Sequence, residues 1–98
     1  VLAAPTVANT PPTLEDLADP AVYRRENLLC LRNTSIASYL DLCAVSLPVG
    51  LDAAGMPVGL MLMARGGQEP ALLALAQGVE RCLGQPHERL GTPPRLRP

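Results

Sequence analysis

The sequence contains no lysine, no phenylalanine and no tryptophan, and a single histidine, His87. Without lysine, no Schiff-base, Ser–Lys or phosphate-binding lysine chemistry can be carried by these 98 residues. With Tyr23 and Tyr39 as the only aromatics, any core must come from Leu, Val, Ala, Met and Ile. The large anchors that each bury roughly 150–250 Å² are missing. A domain of this length buries only about 60–65% of its unfolded surface, so that lack weighs on independent stability. Charge of one sign is also missing. Eight arginines face four Asp and five Glu, for a formal net charge of −1. Neither a basic field for nucleic acid nor an acidic tail is present.

Cys30, Cys43 and Cys82 are odd in number, widely spaced and form no Cys-x-x-Cys. They read as buried free thiols of a reducing cytoplasm, not as a zinc site or a disulfide framework. No metal ligand set and no cofactor motif is expected. The longest charge-free apolar stretch, Leu42–Leu51, is too short to span a bilayer, so no membrane partner is expected either.

What is present is patterned. Val1–Ala4 is an apolar run stopped by Pro5, a strand entering a turn. Residues 6–13 are a loop by composition, and Leu14–Leu17 fit one helical turn capped by Thr13. Asp19-Pro20 supplies a cap and a proline at the first helical position. A helix is predicted from there to about Leu31, with Asn33-Thr34-Ser35 capping a second, short helix over Ile36–Leu40. Two strands are predicted at Ala44–Val49 and Val58–Ala64, joined by a turn containing Gly50 and Gly55, hence a hairpin over about 44–64. From Glu69-Pro70, Leu72, Leu75, Ala76, Val79, Cys82 and Leu83 recur at helical spacing, and Gly84 follows as a stop. Gln85–Pro98 reads as a frayed tail rich in proline and arginine, with Leu90 and Leu96 as its docking candidates. The expected division is therefore 1–84 for the folded segment and 85–98 for the tail.

Neither predicted strand carries a charge on either face. Val45, Leu47 and Val49 point one way, with Ala44, Ser46 and Pro48 opposite. Val58, Leu60 and Leu62 oppose Gly59, Met61 and Met63. A half-exposed hairpin alternates apolar with polar, so both strands read as central strands of a sheet covered on both sides. The chain offers little to cover them, and the fold is expected to be unfinished without more protein.

Arg32-Asn33-Thr34-Ser35, Ala44-Val45-Ser46-Leu47-Pro48-Val49-Gly50, Gly55-Met56-Pro57-Val58-Gly59-Leu60-Met61-Leu62-Met63 and Glu69-Pro70-Ala71-Leu72-Leu73 occur in this order. Together with the strand end Ala4-Pro5-Thr6, they resemble the C-terminal region of the amidase signature family. The resemblance covers about Val1 to Gly84. It implies an α/β class, with this chain as the C-terminal part of an α/β/α fold: a mixed-sheet hairpin covered by helices. It also implies carboxamide hydrolysis by a Ser–Ser–Lys triad, with oxyanion donors from a glycine-rich loop. None of that apparatus is in this sequence, so no catalytic residue is expected here. Two departures stand out. Asp41-Leu42-Cys43 replaces a common Gly-x-Pro before the hairpin, and Gln68 stands where many members have Asp.

The leading expectation is thus a non-catalytic, structural C-terminal segment of a bacterial, cytoplasmic amidase. Its partner would be the remainder of the amidase domain, and a small amide would be the substrate of the parent enzyme. The alternative is a stand-alone interaction module that keeps this fold and closes its sheet by pairing with a second copy. Thr6, Asn33 and Thr34 are the substrate-binding candidates. Thr6 ends a strand, where ligand sites in α/β sheets form. Asn33 and Thr34 sit in the polar run that the resemblance places near the pocket. Gly66-Gly67 reads as a loop, and His87 has no paired nucleophile or acid at motif spacing.

Overall fold

The computed structural model describes residues 1–92. A three-stranded antiparallel sheet, in the order β1-β3-β2, is built from β1 (Leu2–Pro5), β2 (Leu42–Leu51) and β3 (Pro57–Arg65). Helix α1 (Pro20–Tyr39) lies between β1 and β2, and α2 (Glu69–Leu83) and α3 (Pro86–Leu90) follow β3. The fold is a mixed α/β arrangement, in keeping with the class implied by the sequence.

The hairpin forms where its residues direct it. At its tip, Asp52 Oδ1 accepts from the backbone N–H groups of Ala54 and Met56, both at 2.8 Å. This folds the chain back as Asx turns do. The ladder runs from Leu42 opposite Arg65 to Pro48 opposite Gly59, then skips Val49 so that Gly50 faces Val58. That is a β-bulge. β1 adds on the far side of β3, with Leu2 opposite Met63 and Pro5 opposite Leu60.

β3 is therefore central, and three consecutive residues of it, Met61, Leu62 and Met63, are buried. The sequence reads both hairpin strands as central, with further neighbours from protein beyond this chain; of the two, the strand without a second neighbour here is β2. It is an edge strand among the described residues, with Cys43, Val45 and Leu47 half-buried and Ala44, Ser46 and Pro48 exposed. Pro48 fits that place, since proline gives a ladder no donor and is confined to edges and bulges.

Each face of the sheet has its own cluster. On one, Leu62 packs with Leu72 and Ala76 of α2, joined by Cys43, Val45, Leu47, Leu60, Ala64 and Val79. On the other, Met61 and Met63 pack with Ala37 of α1, joined by Ala4 and Leu42. α2 begins at Glu69-Pro70 and stops at Gly84, whose φ of 84° lies in the left-handed region that glycine tolerates. Of its predicted stripe, Leu72 and Ala76 are buried, while Leu75 and Cys82 are exposed.

Helix α1 differs from the expected pair of helices. It is continuous over 20 residues, opened by Asp19, whose side chain accepts from Ala21 N. The polar run does not cap a new helix because its side chains bond elsewhere. Asn33 Nδ2 donates to Pro5 O at 2.8 Å, and Thr34 Oγ1 donates back to Leu31 O at 3.2 Å. A Thr hydroxyl that bonds backward in this way is compatible with a position inside a helix. Thr13 bonds the short 3-10 turn Asp16–Ala18 from before its cap position, which is Glu15: its hydroxyl accepts from Asp16 N and donates to Asp16 Oδ2.

The tail is also more ordered than expected up to Thr92. Pro86–Leu90 is helical, and half-buried Leu90 lies on it. Leu96 lies outside the described residues.

Candidate functional site

The polar groups of the chain converge at the end of β1. Thr6 continues the β1 ladder by one bond, its N–H donating to Gly59 O at 2.9 Å. Its hydroxyl meets the Ser46 hydroxyl of β2 at 2.5 Å, one donating to the other across β3. The strand between them makes this possible only by having no side chain there. A Cβ on Gly59 would stand 2.7 Å from Thr6 Oγ1 and 2.9 Å from Ser46 Oγ. The pair is thus built by three strands at once, with glycine in the middle of the row.

Three residues of α1 fasten the chain that follows. Glu26, Cys30 and Asn33 are spaced i, i+4, i+7 and share one face of the helix. Asn33 holds Pro5 O, the residue before Thr6. Cys30 Sγ donates to Asn9 Oδ1 at 3.4 Å, and Asn9 Nδ2 donates to Glu26 Oε2 at 2.7 Å. The hydrogen bond from Asn9, then the adjacent Arg25 guanidinium at 2.9 Å, holds the Glu26 carboxyl below the ordinary carboxylate range. Helix α1 therefore clamps the loop from Pro5 to Asn9 at two levels, with a rise of about 5.4 Å for each turn between them.

Of the three predicted site residues, the structure brings Thr6 and Asn33 to the same place. Thr34 is half-buried and its hydroxyl is engaged within α1. Ser46 was not singled out from sequence. The signal lay in the alternation: it is the one hydroxyl on the exposed row Ala44-Ser46-Pro48, beside the glycine of the next strand. Asn9 and Glu26 were likewise invisible, because nothing in a loop of Asn, Thr and Pro states which helix position it will meet.

Beyond this cluster, the described residues offer no nucleophile with an activating base. Ser38 Oγ donates to Thr34 O within α1. No group of three or more His, Cys, Asp or Glu that could hold a metal occurs among the described residues. Cys30, Cys43 and Cys82 are free, as expected, but Cys30 and Cys82 are exposed where burial was expected. The amide of Gly67 faces Glu69 Oε1 at 3.4 Å, so the Gly-Gly pair is a helix-entry loop. No described helix is long and apolar enough to cross a membrane.

The outer side of α1 is apolar and open. Tyr39 is 90% exposed, and Leu28, Leu31, Ile36 and Leu40 are each about half exposed or more. Ser35, Ile36, Tyr39 and Leu40 line a shallow groove of about 400 Å³.

The family model for amidases matches residues 1–73. The chain belongs to the amidase family. It is 44% identical to the 2-amino-5-chloromuconic acid deaminase of Comamonas testosteroni over 95% of its own length and 20% of that protein. It is 41% identical to a glutamyl-tRNA(Gln) amidotransferase component of Synechococcus sp. (strain RCC307) over 80% of its length and 15% of the relative. With a fatty acid amide hydrolase of Arabidopsis thaliana it shares 33% identity over 82% of its length and 14% of the relative. The chain spans a fifth or less of the length of these relatives. No solved structure matches it.

Proposed function

We propose that this chain is the C-terminal structural segment of a cytoplasmic carboxamide hydrolase of the Ser–Ser–Lys type, whose catalytic residues lie outside these 98 residues. The observation that carries this reading is the open apolar side of α1, with Tyr39 90% and Leu28 64% exposed. Apolar surface of this extent on one helix face fits an interface with further protein. The absence of lysine and the small share of each relative that is matched support the same reading. Three unpaired thiols fit a reducing compartment.

The segment's role is to supply three strands and two covering helices, and to present the end of β1. Thr6 and Asn33, with Thr34 nearby on α1, form the substrate side, and Ser46 holds the Thr6 hydroxyl. Two hydroxyls that share one hydrogen bond keep one free O–H donor and spare lone pairs. That set suits a carboxamide, which carries both a carbonyl acceptor and N–H donors.

The test is an exchange of segments. This chain replaces the matching fifth of the Comamonas testosteroni deaminase, and deamination is measured alongside the isolated 98 residues. The chimera is expected to fold and turn over, and the isolated chain to be inert toward simple carboxamides. A folded but inactive chimera, or a hydrolytically active isolated chain, contradicts the reading. A homodimeric module is the second reading, favoured by the same open face and by the outer edge of β1. A tight, compact dimer in sedimentation would support it over the first.

A further inference from the structure

The bulge in β2 has an occupant. Arg89, on α3, donates from Nη1 to Val49 O at 2.8 Å and from Nη2 to Pro48 O at 2.9 Å. Val49 is the residue that the β2–β3 register skips, and Pro48 is the last one paired before it. A bulge leaves a residue outside the ladder, and its backbone groups need other partners. Here a fork of two charged N–H donors supplies them, in the geometry that makes arginine bonds strong and specific. Nε of the same guanidinium is buried with no hydrogen-bond partner among the described residues, so the group is committed to the two carbonyls.

Helix α3 has five residues, too few to be stable alone. Its position must come from what it touches, and it touches β2. The segment lies beyond residue 73, where the family match ends. We propose that residues 85–91 are a strap that closes the sheet on the β2 side, with Arg89 as its clasp. Pro48 already removes one donor from that strand, and Arg89 takes the carbonyls of Pro48 and Val49. A strand arriving alongside β2 finds neither the donor nor the free acceptors it needs. The sheet then extends at β1, whose outer edge is unpaired among the described residues.

Hydrogen exchange on the full 98-residue chain tests this at more than one protein concentration. Arg89→Ala is expected to speed exchange of the Glu88, Arg89 and Gly91 amides, and of the amides around Gly50, by at least about tenfold, with α2 unchanged. Arg89→Lys keeps the charge but loses the fork, and is expected to fall between the two. Should Arg89→Ala loosen the whole chain, Arg89→Lys decides: a local effect confined to α3 and the bulge upholds the strap. In the unsubstituted chain, raising the concentration is expected to leave β2 exchange unchanged. Unaltered exchange at α3 in both variants, or concentration-dependent protection along β2 in the unsubstituted chain, overturns the proposal.

Discussion

The two faces of the sheet are covered by helices of similar importance to the fold but of different completeness. On the α2 side, Leu62, Leu72 and Ala76 are buried and six further residues pack around them. On the α1 side, the longer helix buries one residue, Ala37, against Met61 and Met63, and leaves its larger apolar side chains outside. α2 buries Leu72 and Ala76 against the sheet and leaves Leu73 and Leu75 exposed. The apolar residues of α1 lie on more than one side, so a single sheet cannot cover them. The lesson is that the sheet-facing side of α2 is packed within this chain, whereas α1 leaves its larger apolar side chains exposed among the described residues.

The largest expected effect tests the finished face. Leu72→Ala removes a side chain that is 3% exposed and should cost about 2–5 kcal/mol, read by urea unfolding. Met61→Ala, equally buried on the other face, should lie near 2 kcal/mol, because a site beside an open layer collapses more readily. Equal losses at the two positions would break the contrast. Gly59→Ala comes next. Its Cβ would stand 2.7 Å from Thr6 Oγ1 and force the hydroxyl pair apart, at about 1–2 kcal/mol. Ser46→Ala in the same background should then cost little more, since the two changes break one bond.

Leu31→Ser, on the outer side of α1, should change the stability of the isolated chain by no more than about 0.5 kcal/mol. A large loss there would show that α1 is already covered. The smallest effect is that of pH. Glu26 has its folded value lowered by Asn9 and Arg25, so its contribution is present above its ordinary value of about 4.3. It fades as pH falls through the lowered value. The Asn9 side-chain amide should report that loss by NMR on acidification, and Glu26→Gln should abolish the pH dependence.

Much of this organisation was legible in the residues. The hairpin, the start and stop of α2 and the strand ending at Pro5 all rest on local signals: apolar runs bounded by glycine and proline, a proline at a helix start, a glycine at its end. The charge-free strands announced a sheet covered on both faces, and a helix packs on each, but the pattern could not tell which strand lacks a second neighbour within this chain. An edge strand and a central strand of equal hydropathy differ only in their neighbours, and Pro48 was the one local sign. The break expected at Asn33-Thr34-Ser35 failed for a related reason. These residues cap helices when their side chains find local backbone donors. Here Asn33 is drawn to Pro5, 28 positions away in sequence. Arg89 could not be assigned at all, because its acceptors exist only once the bulge has formed. Of the candidate site, Thr6 was legible as a strand end, while Ser46 became visible only when Gly59 was seen between them.

The proposed function holds that α1 is completed by further protein. Amide hydrogen exchange along α1 tests it most directly, comparing the isolated chain with the same segment built into the Comamonas testosteroni deaminase. The account predicts α1 exchange in the isolated chain at least about a hundredfold faster than in the chimera, with α2 differing far less. Equal protection of α1 in both would contradict it.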